Sequence, residues 1–278
     1  MSRKTNIGVY VDATNLMRNG GYGMRYDVLR EFACRDGGEA IRLNVYASYD
    51  ADRAQEDPTY RRKQMRFFSS LRDFGFKVIE KKIKWFNDEL GNRVGKANAD
   101  LEMAVEALLQ SKNLDRVVIA TGDGDFVQVV KALQNRGCRV EVVAFDNVSR
   151  DLRREADLFV SGYLVPNLIA PFTRDRGMKE WGEAGSRVRG LCYNHMEEGY
   201  GFFRYMTRIG KGIWITDTRD DASPYESVFF HDSQLPPEVN PLDLPSRYHV
   251  FEFDLVPSER RPGEAFQAEN INIVGLLR

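Results

Sequence analysis

The chain is poor in cysteine, in histidine, in net charge and in long apolar runs. Three cysteines, Cys34, Cys138 and Cys192, stand far apart in 278 residues. An odd, scattered set without metal-ligand spacing argues against a disulfide framework, and a reducing, cytoplasmic setting is expected. All three histidines lie beyond residue 165, which excludes a histidine pair as acid and base in the N-terminal half. No apolar run is long enough to cross a bilayer, so no membrane partner is expected. The opening residues MSRKTN lead straight into a strand-like segment, without the apolar core of a signal peptide. A net charge of −1 gives no global field toward polyanions, so any such binding has to come from local patches. Repeats and low-complexity segments are also missing. What is present, 42% hydrophobic and 29% charged residues, suits a soluble globular protein of one large domain or two ordinary ones.

The pattern divides the chain. Up to about residue 165, short β-branched runs at 7–11, 41–48, 76–83, 116–120 and 140–145 alternate with amphipathic stretches. Segment 59–74 sets Phe67, Phe68, Leu71 and Phe74 on one face. Leu101, Ala104, Val105, Leu108 and Leu109 follow helical spacing, as do Val129, Val130 and Leu133. Strands alternating with helices predict an α/β domain with a mainly parallel sheet. Residues 166–186, rich in Pro, Gly and charge, read as a linker. Beyond it helical periodicity stops. Strand-like runs at 187–193, 201–206, 213–216, 227–231, 249–255 and 270–274 predict a small antiparallel all-β barrel over 187–278.

Four aspartates stand where strands end or helices begin: Asp12 in VYVDATN, Asp100 in ANADLEMAV, and Asp123 and Asp125 in ATGDGDF. Each alone has a capping or helix-dipole explanation. Two acids in one Gly-rich turn, with a third at the end of the first strand, exceed what capping needs. In parallel α/β sheets ligands bind at the carboxyl ends of strands, so these acids can gather. Gathered carboxylates repel unless cations neutralise them, and oxygen ligands suit Mg²⁺ or Mn²⁺. That chemistry points to phosphodiester cleavage. Asp146 and Asp157 are weaker candidates. Glu102 and Glu106, on the polar face of the helix that Asp100 opens, read as solvated.

With Asp12, Ala13, Thr14 and Asn15, then Lys96 through Asp100, then residues 121–126 and the stretch 149–157, the segment 6–165 resembles the NYN domain family. That family is a branch of the PIN-like metal-dependent ribonucleases that includes LabA-like proteins. The resemblance implies a Rossmann-like PIN fold over residues 1–165. It implies Mg²⁺ or Mn²⁺ held by Asp12, Asp100 and Asp123, with Asp125 a further acid, and Asn15 steadying the site or the scissile phosphate. The sequence departs from the family at Ala13, where glycine is common, and in the spacing of Lys96 from Asp100. The expected reaction is metal-assisted hydrolysis, with Asp123 or Asp125 orienting the attacking water.

Between Tyr60 and Trp85 nine basic residues face two acids. Arg61, Arg62, Lys63, Lys82 and Lys84 read either as a solvated helix face with a lysine-guarded edge strand or as a phosphate track; the two readings coexist. In the C-terminal region GYGFF (199–203) and VFFH (228–231) set Tyr200 with Phe202, and Phe229 with His231, on one strand face each, and Phe203 and Phe230 on the other. Aromatics on the outward face of such a barrel stack single-stranded bases; the bland alternative packs them all in the core. On these two runs, Gly190 and the closing segments 250–253 and 268–271, residues 187–275 resemble a cold-shock domain. The resemblance places Tyr200, Phe202, Phe229 and His231 against single-stranded bases. Glu198 stands where lysine is usual, and the segment between the two motifs is long.

The expectation is thus an endoribonuclease whose barrel holds single-stranded RNA while the acidic pocket cuts it. The alternatives are a catalytically weak regulatory RNA-binding protein, a phosphatase or nucleotidyl enzyme built on the Gly-Asp-Gly-Asp turn, and a structural protein whose acids only cap helices. A homodimer is compatible with the family resemblance.

Overall fold

The structure is a computed structural model that describes residues 3–87, 92–96, 99–172, 179–258 and 266–276. In chain order, β1 (Asn6–Asp12) runs into α1 (Ala13–Arg18), and α2 (Tyr26–Ala33) precedes β2 (Glu39–Tyr49). Next come α3 (Ala51–Glu56), α4 (Pro58–Asp73), β3 (Lys77–Lys82) and the ribbon β4 (Lys84–Asn87) with β5 (Arg93–Lys96). Then α5 (Asp100–Gln110), β6 (Arg116–Ala120), α6 (Val127–Asn135), β7 (Arg139–Ala144), α7 (Arg150–Glu155) and β8 (Leu158–Ser161) complete the α/β part. The β part contains β9 (Arg187–Met196), β10 (Tyr200–Met206), β11 (Tyr225–His231), β12 (His249–Pro257) and β13 (Phe266–Leu276). By chain contacts two compact units form. One joins Met1–Tyr22, Gly37–Ala144 and Val148–Phe159; the other joins Gly23–Asp36, Phe145–Asn147 and Val160–Arg278.

The six-stranded sheet has the order β3-β2-β1-β6-β7-β8. Its pairs from β3 to β7 are parallel. β1, β6 and β7 are almost wholly buried along their length, as parallel strands covered on both faces must be. That is why they read as continuous Val and Ile runs rather than alternating ones. β3 lies at one edge, where its exposed lysines blunt further pairing.

α5 corrects the sequence reading. Its buried residues are Met103 and Ala107, while Leu101, Val105 and Leu109 are exposed. The polar edge of the helix turns inward because the sheet beneath it carries hydroxyls and an amide. Tyr46 Oη donates to Glu106 Oε2 at 2.8 Å, Asn44 Nδ2 donates to the same oxygen at 2.9 Å, and Tyr10 Oη donates to Gln110 Oε1 at 3.0 Å. Burying those groups unpaired would cost a few kcal/mol each, roughly 1–3, so Glu106 is recruited rather than solvated. Glu102 is likewise engaged, by Lys81. The helix that begins at Asp100 is therefore fixed to the sheet by polar contacts that helical periodicity does not reveal.

The five C-terminal strands close into a barrel of order β10-β11-β13-β12-β9. This is the oligonucleotide-binding layout, in which the third strand pairs with the fifth. The purely antiparallel barrel expected from the sequence is corrected in one place: β11 and β13 pair in parallel at Phe229 and Gln267. Five strands cannot alternate direction all the way round a closed ring, so one neighbouring pair has to be parallel. The run 213–216 is not a strand but part of a turn. The barrel core contains Val188, Phe203, Val228, Phe230, Phe251 and Phe253, with Phe203 and Phe230 stacked at 4.1 Å. Under β9 and β12 lies a buried ion cluster. Glu252 accepts from Arg187 Nε and Arg189 Nε, both at 2.8 Å, and Arg187 Nη1 donates to Asp254 at 2.9 Å. Arg189, with no exposed surface, also donates to the carbonyls of Ile169 and Ala170.

Candidate active site and nucleic-acid interface

The order of the six-stranded sheet reverses between β1 and β6. At such a switch point the connections leave in opposite directions and open a crevice beyond the carboxyl ends of the strands. Asp12 is the last residue of β1, and the turn carrying Asp123 follows β6. Asp12 does cap α1, its Oδ1 accepting from Asn15 N at 2.9 Å. Capping alone, with the hydrogen bond it brings, lowers a carboxyl pKa. Asp12 is instead only 5% exposed, and its pKa is pushed up to about 6. Burial is the main cause; the Asn15 amide opposes it, and the charges of Asp100 and Asp123 add to it. Asp100 is raised by burial first and then by Asp123 and Asp125. These acids therefore share one electrostatic field, although more than a hundred residues separate the first from the last.

The turn geometry follows from small residues and local hydrogen bonds. Asn15 Oδ1 accepts from Gly122 N at 3.0 Å and so staples the end of β1 to the turn after β6. Thr121 Oγ1 accepts from Asp123 N at 3.3 Å, and Asp123 Oδ1 accepts from Asp125 N at 3.0 Å. Asp125 points into solvent-accessible space and is exposed. Gly124 cannot be replaced without a shift, because a Cβ there would lie 2.8 Å from Ser149 Oγ. Ser149 in turn donates its backbone N–H to Gly122 O at 2.9 Å and caps α7.

The two weaker acids have structural duties. Asp157 Oδ2 accepts from Val140 N at 2.7 Å, and Asp146 accepts from Tyr163 Oη at 2.7 Å. Lys96 closes β5, and residues 97–98 lie outside the described residues.

Among the described residues, no three His, Cys, Asp or Glu side chains stand close enough together to hold a metal ion. The donor set nevertheless fits a hard divalent cation in kind. It is all oxygen, and the neighbouring carboxylates add to the burial that raises Asp12 and Asp100, a repulsion a cation would relieve. Asp12, Asp100 and Asp123 are the residues that could hold one after side-chain adjustment.

Arg61, Arg62 and Lys63 are exposed on α4, as are Lys82 and Lys84 at the sheet edge and its ribbon. Lys77 and Lys81 are paired with Glu106 and Glu102. On the barrel, Tyr200, Phe202 and Phe229 are half-buried and form a ring triangle with centroid separations of 6.1, 5.8 and 6.0 Å. Phe202 faces Phe229 across the β10–β11 ladder, and Tyr200 faces His231. His231 is exposed, its Nδ1 2.9 Å from Ser233 Oγ. An open cavity of about 380 Å³ beside it is lined by Phe229, His231, Gln267 and Glu269 among others.

The same barrel face holds residues that the motif reading passed over. Arg204 lies between Tyr193 and Tyr225, 5.5 and 5.4 Å from their ring centroids. Simple alternation from Tyr200 and Phe202 to Arg204 was the signal that could have found them.

Comparison with known proteins finds similarity over the N-terminal part. The sequence profile of the NYN domain matches residues 6–166. The "Low amplitude and bright protein LabA" of Synechococcus elongatus is 28% identical over 165 residues, 57% of this chain and 84% of that protein. A crystal structure of a protein of unknown function from Vibrio parahaemolyticus is similar at 26% identity. The match covers 58% of this chain and 96% of that one, with a TM-score of 0.47.

Proposed function

Because this chain belongs to the NYN domain family, whose PIN-like domain is in general a nuclease, we propose that it is a divalent-metal-dependent endoribonuclease acting on single-stranded RNA. The observation that carries the reading is the shared field of Asp12, Asp100 and Asp123 at the sheet's switch point. Two buried acids, Asp12 and Asp100, whose pKa values are raised by burial and by neighbouring carboxylates at a switch point mark a functional site more than a structural one.

In this reading Asp12, Asp100 and Asp123 hold Mg²⁺ or Mn²⁺. An ion held there would neutralise them and would supply Lewis-acid polarisation of the phosphate and a more acidic water. Asn15 keeps the first and third acids in register by holding Gly122. Asp125, exposed at the mouth, orients the attacking water and accepts its proton. The sequence carries no pattern that recognises a chain end, which favours internal cleavage. Arg61, Arg62, Lys63, Lys82 and Lys84 supply phosphate contacts. The cold-shock-like barrel holds the strand on Tyr200, Phe202, Phe229 and His231.

Asp123→Asn is expected to abolish Mn²⁺-dependent cleavage of a labelled single-stranded RNA while leaving the circular-dichroism spectrum and melting curve intact. Undiminished cleavage by that variant would remove Asp123 from the site. A second reading has one observation in its favour: the acids do not stand at metal-holding distance among the described residues. In that reading the NYN domain is catalytically weak, and the chain regulates RNA by binding it. Calorimetry with Mn²⁺ separates the two. Binding together with cleavage supports the enzyme, and RNA binding with neither supports the regulator.

A further inference from the structure

The long segment between the two aromatic motifs of the barrel has a defined shape. Gly212, at φ +76°, turns the chain, and Ile215 N donates back to Gly212 O at 2.7 Å. Ile213 is buried at 3% exposure. Tyr225 Oη donates to Ile213 O at 2.9 Å, Ser223 Oγ to Ile215 O at 2.9 Å, and Arg204 Nη1 to Thr216 O at 3.1 Å. Hydrogen bonds from three separate side chains thus fix the backbone on both sides of Trp214. The Trp214 side chain itself is 64% exposed.

A single exposed apolar residue on a loose loop needs no explanation. Here the loop is not loose, and two of its anchors belong to the aromatic face. Tyr200, Phe202 and Arg204 are alternate residues of β10, and Phe229, Ser227 and Tyr225 are alternate residues of β11 in register with that face. Tyr193 lies against Arg204, with its Oη 2.9 Å from Ser227 Oγ. At about 3.3 Å per residue, the distance from Tyr200 to Arg204 is roughly 13 Å, room for further bases beyond the first ring triangle.

We infer that Trp214 is a base-stacking site that continues the barrel's aromatic face, with Arg204 and Tyr225 as the positioning residues that hold it out. Its ligand is the same single strand of nucleic acid that crosses Tyr200, Phe202 and Phe229, and the inference rests on that reading of the barrel. An indole offers its flat face to any base, which extends the footprint without adding sequence choice. The guanidinium of Arg204 adds positive charge between the two clusters.

The test is affinity of the full chain for oligouridylates of increasing length, about four to ten nucleotides. The parent is expected to gain affinity up to a longer oligomer than Trp214→Ala does. That variant loses roughly ten-fold on the longest oligomer and little on the shortest, and its melting temperature is unchanged because the ring is exposed. Trp214→Phe keeps a ring and restores most of the loss. Arg204→Lys keeps the charge but loses the planar contact; it is expected to reproduce the length defect in part. Identical length dependence in the parent and Trp214→Ala, with Tyr200→Ala/Phe229→Ala still defective, overturns this inference alone. No binding by the parent overturns the barrel's role and this inference with it. Dissociation of an oligomer by Trp214→Ala with unchanged RNA affinity would give the ring to a second copy of the chain instead.

Discussion

Asp12 holds two roles that pull in opposite directions. As a cap it accepts from Asn15 N; as a buried charge beside Asp100 and Asp123 it has a pKa near 6, against 3.8 for an ordinary aspartate. The folded chain thus binds its proton more tightly than the unfolded chain. Its contribution to stability is full below about pH 4 and is lost as the pH rises through about 6. Ionised at neutral pH, it costs the metal-free fold on the order of 2–3 kcal/mol. Asn can cap nearly as well as Asp and carries no charge. Asp12→Asn is therefore expected to be inactive yet more stable than the parent at pH 7 without divalent ions, by about 1–3 kcal/mol. That difference should vanish near pH 4. Urea unfolding at the two pH values measures it, and a variant less stable at pH 7 would mean that the cap outweighs the buried charge. The identity of Asp12 as a candidate was legible from VYVDATN. Its pKa was not, because burial and distant charges are set only when β1 and β6 lie side by side.

At the scale of elements, sequence periodicity located helices and strands well but misjudged faces wherever polar groups were buried. The α5 stripe of Leu101, Val105 and Leu109 looked like a core face. It is exposed because Glu106 and Gln110 are drawn to Tyr46, Asn44 and Tyr10 on the sheet. In the barrel, Arg187 and Arg189 alternate with core residues along β9, and Glu252 sits among phenylalanines on β12. Their pairing is a matter of strand register, Glu252 opposite Arg189. Glu252→Gln would leave two buried guanidinium groups without their shared carboxylate. It is expected to destabilise the chain by about 3–5 kcal/mol, read as an early unfolding transition. A change below about 1 kcal/mol, the value of an exposed pair, would show that water reaches the cluster.

For the whole molecule, the proposal divides holding from cutting between two parts of the chain. Tyr200→Ala/Phe229→Ala is expected to weaken single-stranded RNA binding by roughly thirty-fold or more, two stacked bases at about 1–3 kcal/mol each. It should raise KM for a long RNA while leaving kcat and its Mn²⁺ dependence unchanged. Equal affinity in filter binding would return both rings to a packing role. The division also bears on the segment read as a linker. Residues 168 and 169 are buried, and Arg189 binds the carbonyls of Ile169 and Ala170. Composition marked 166–186 as irregular; it could not mark which of its carbonyls a distant arginine would take.

The sequence by itself determined the α/β-then-β order, the strands that β-branched runs define, the acids at strand ends, and the alternating aromatics of GYGFF and VFFH. All of these depend on residues within a few positions of one another. The tertiary structure decided that Asp12 lies within the electrostatic field of Asp123 at the switch point, that Glu106 turns inward, and that one barrel pair runs parallel. It also decided that the run around Trp214 is a pinned turn rather than a strand. Each depends on what lies opposite a residue in space, and solvent exposure, register and charge–charge distance have no expression in local pattern.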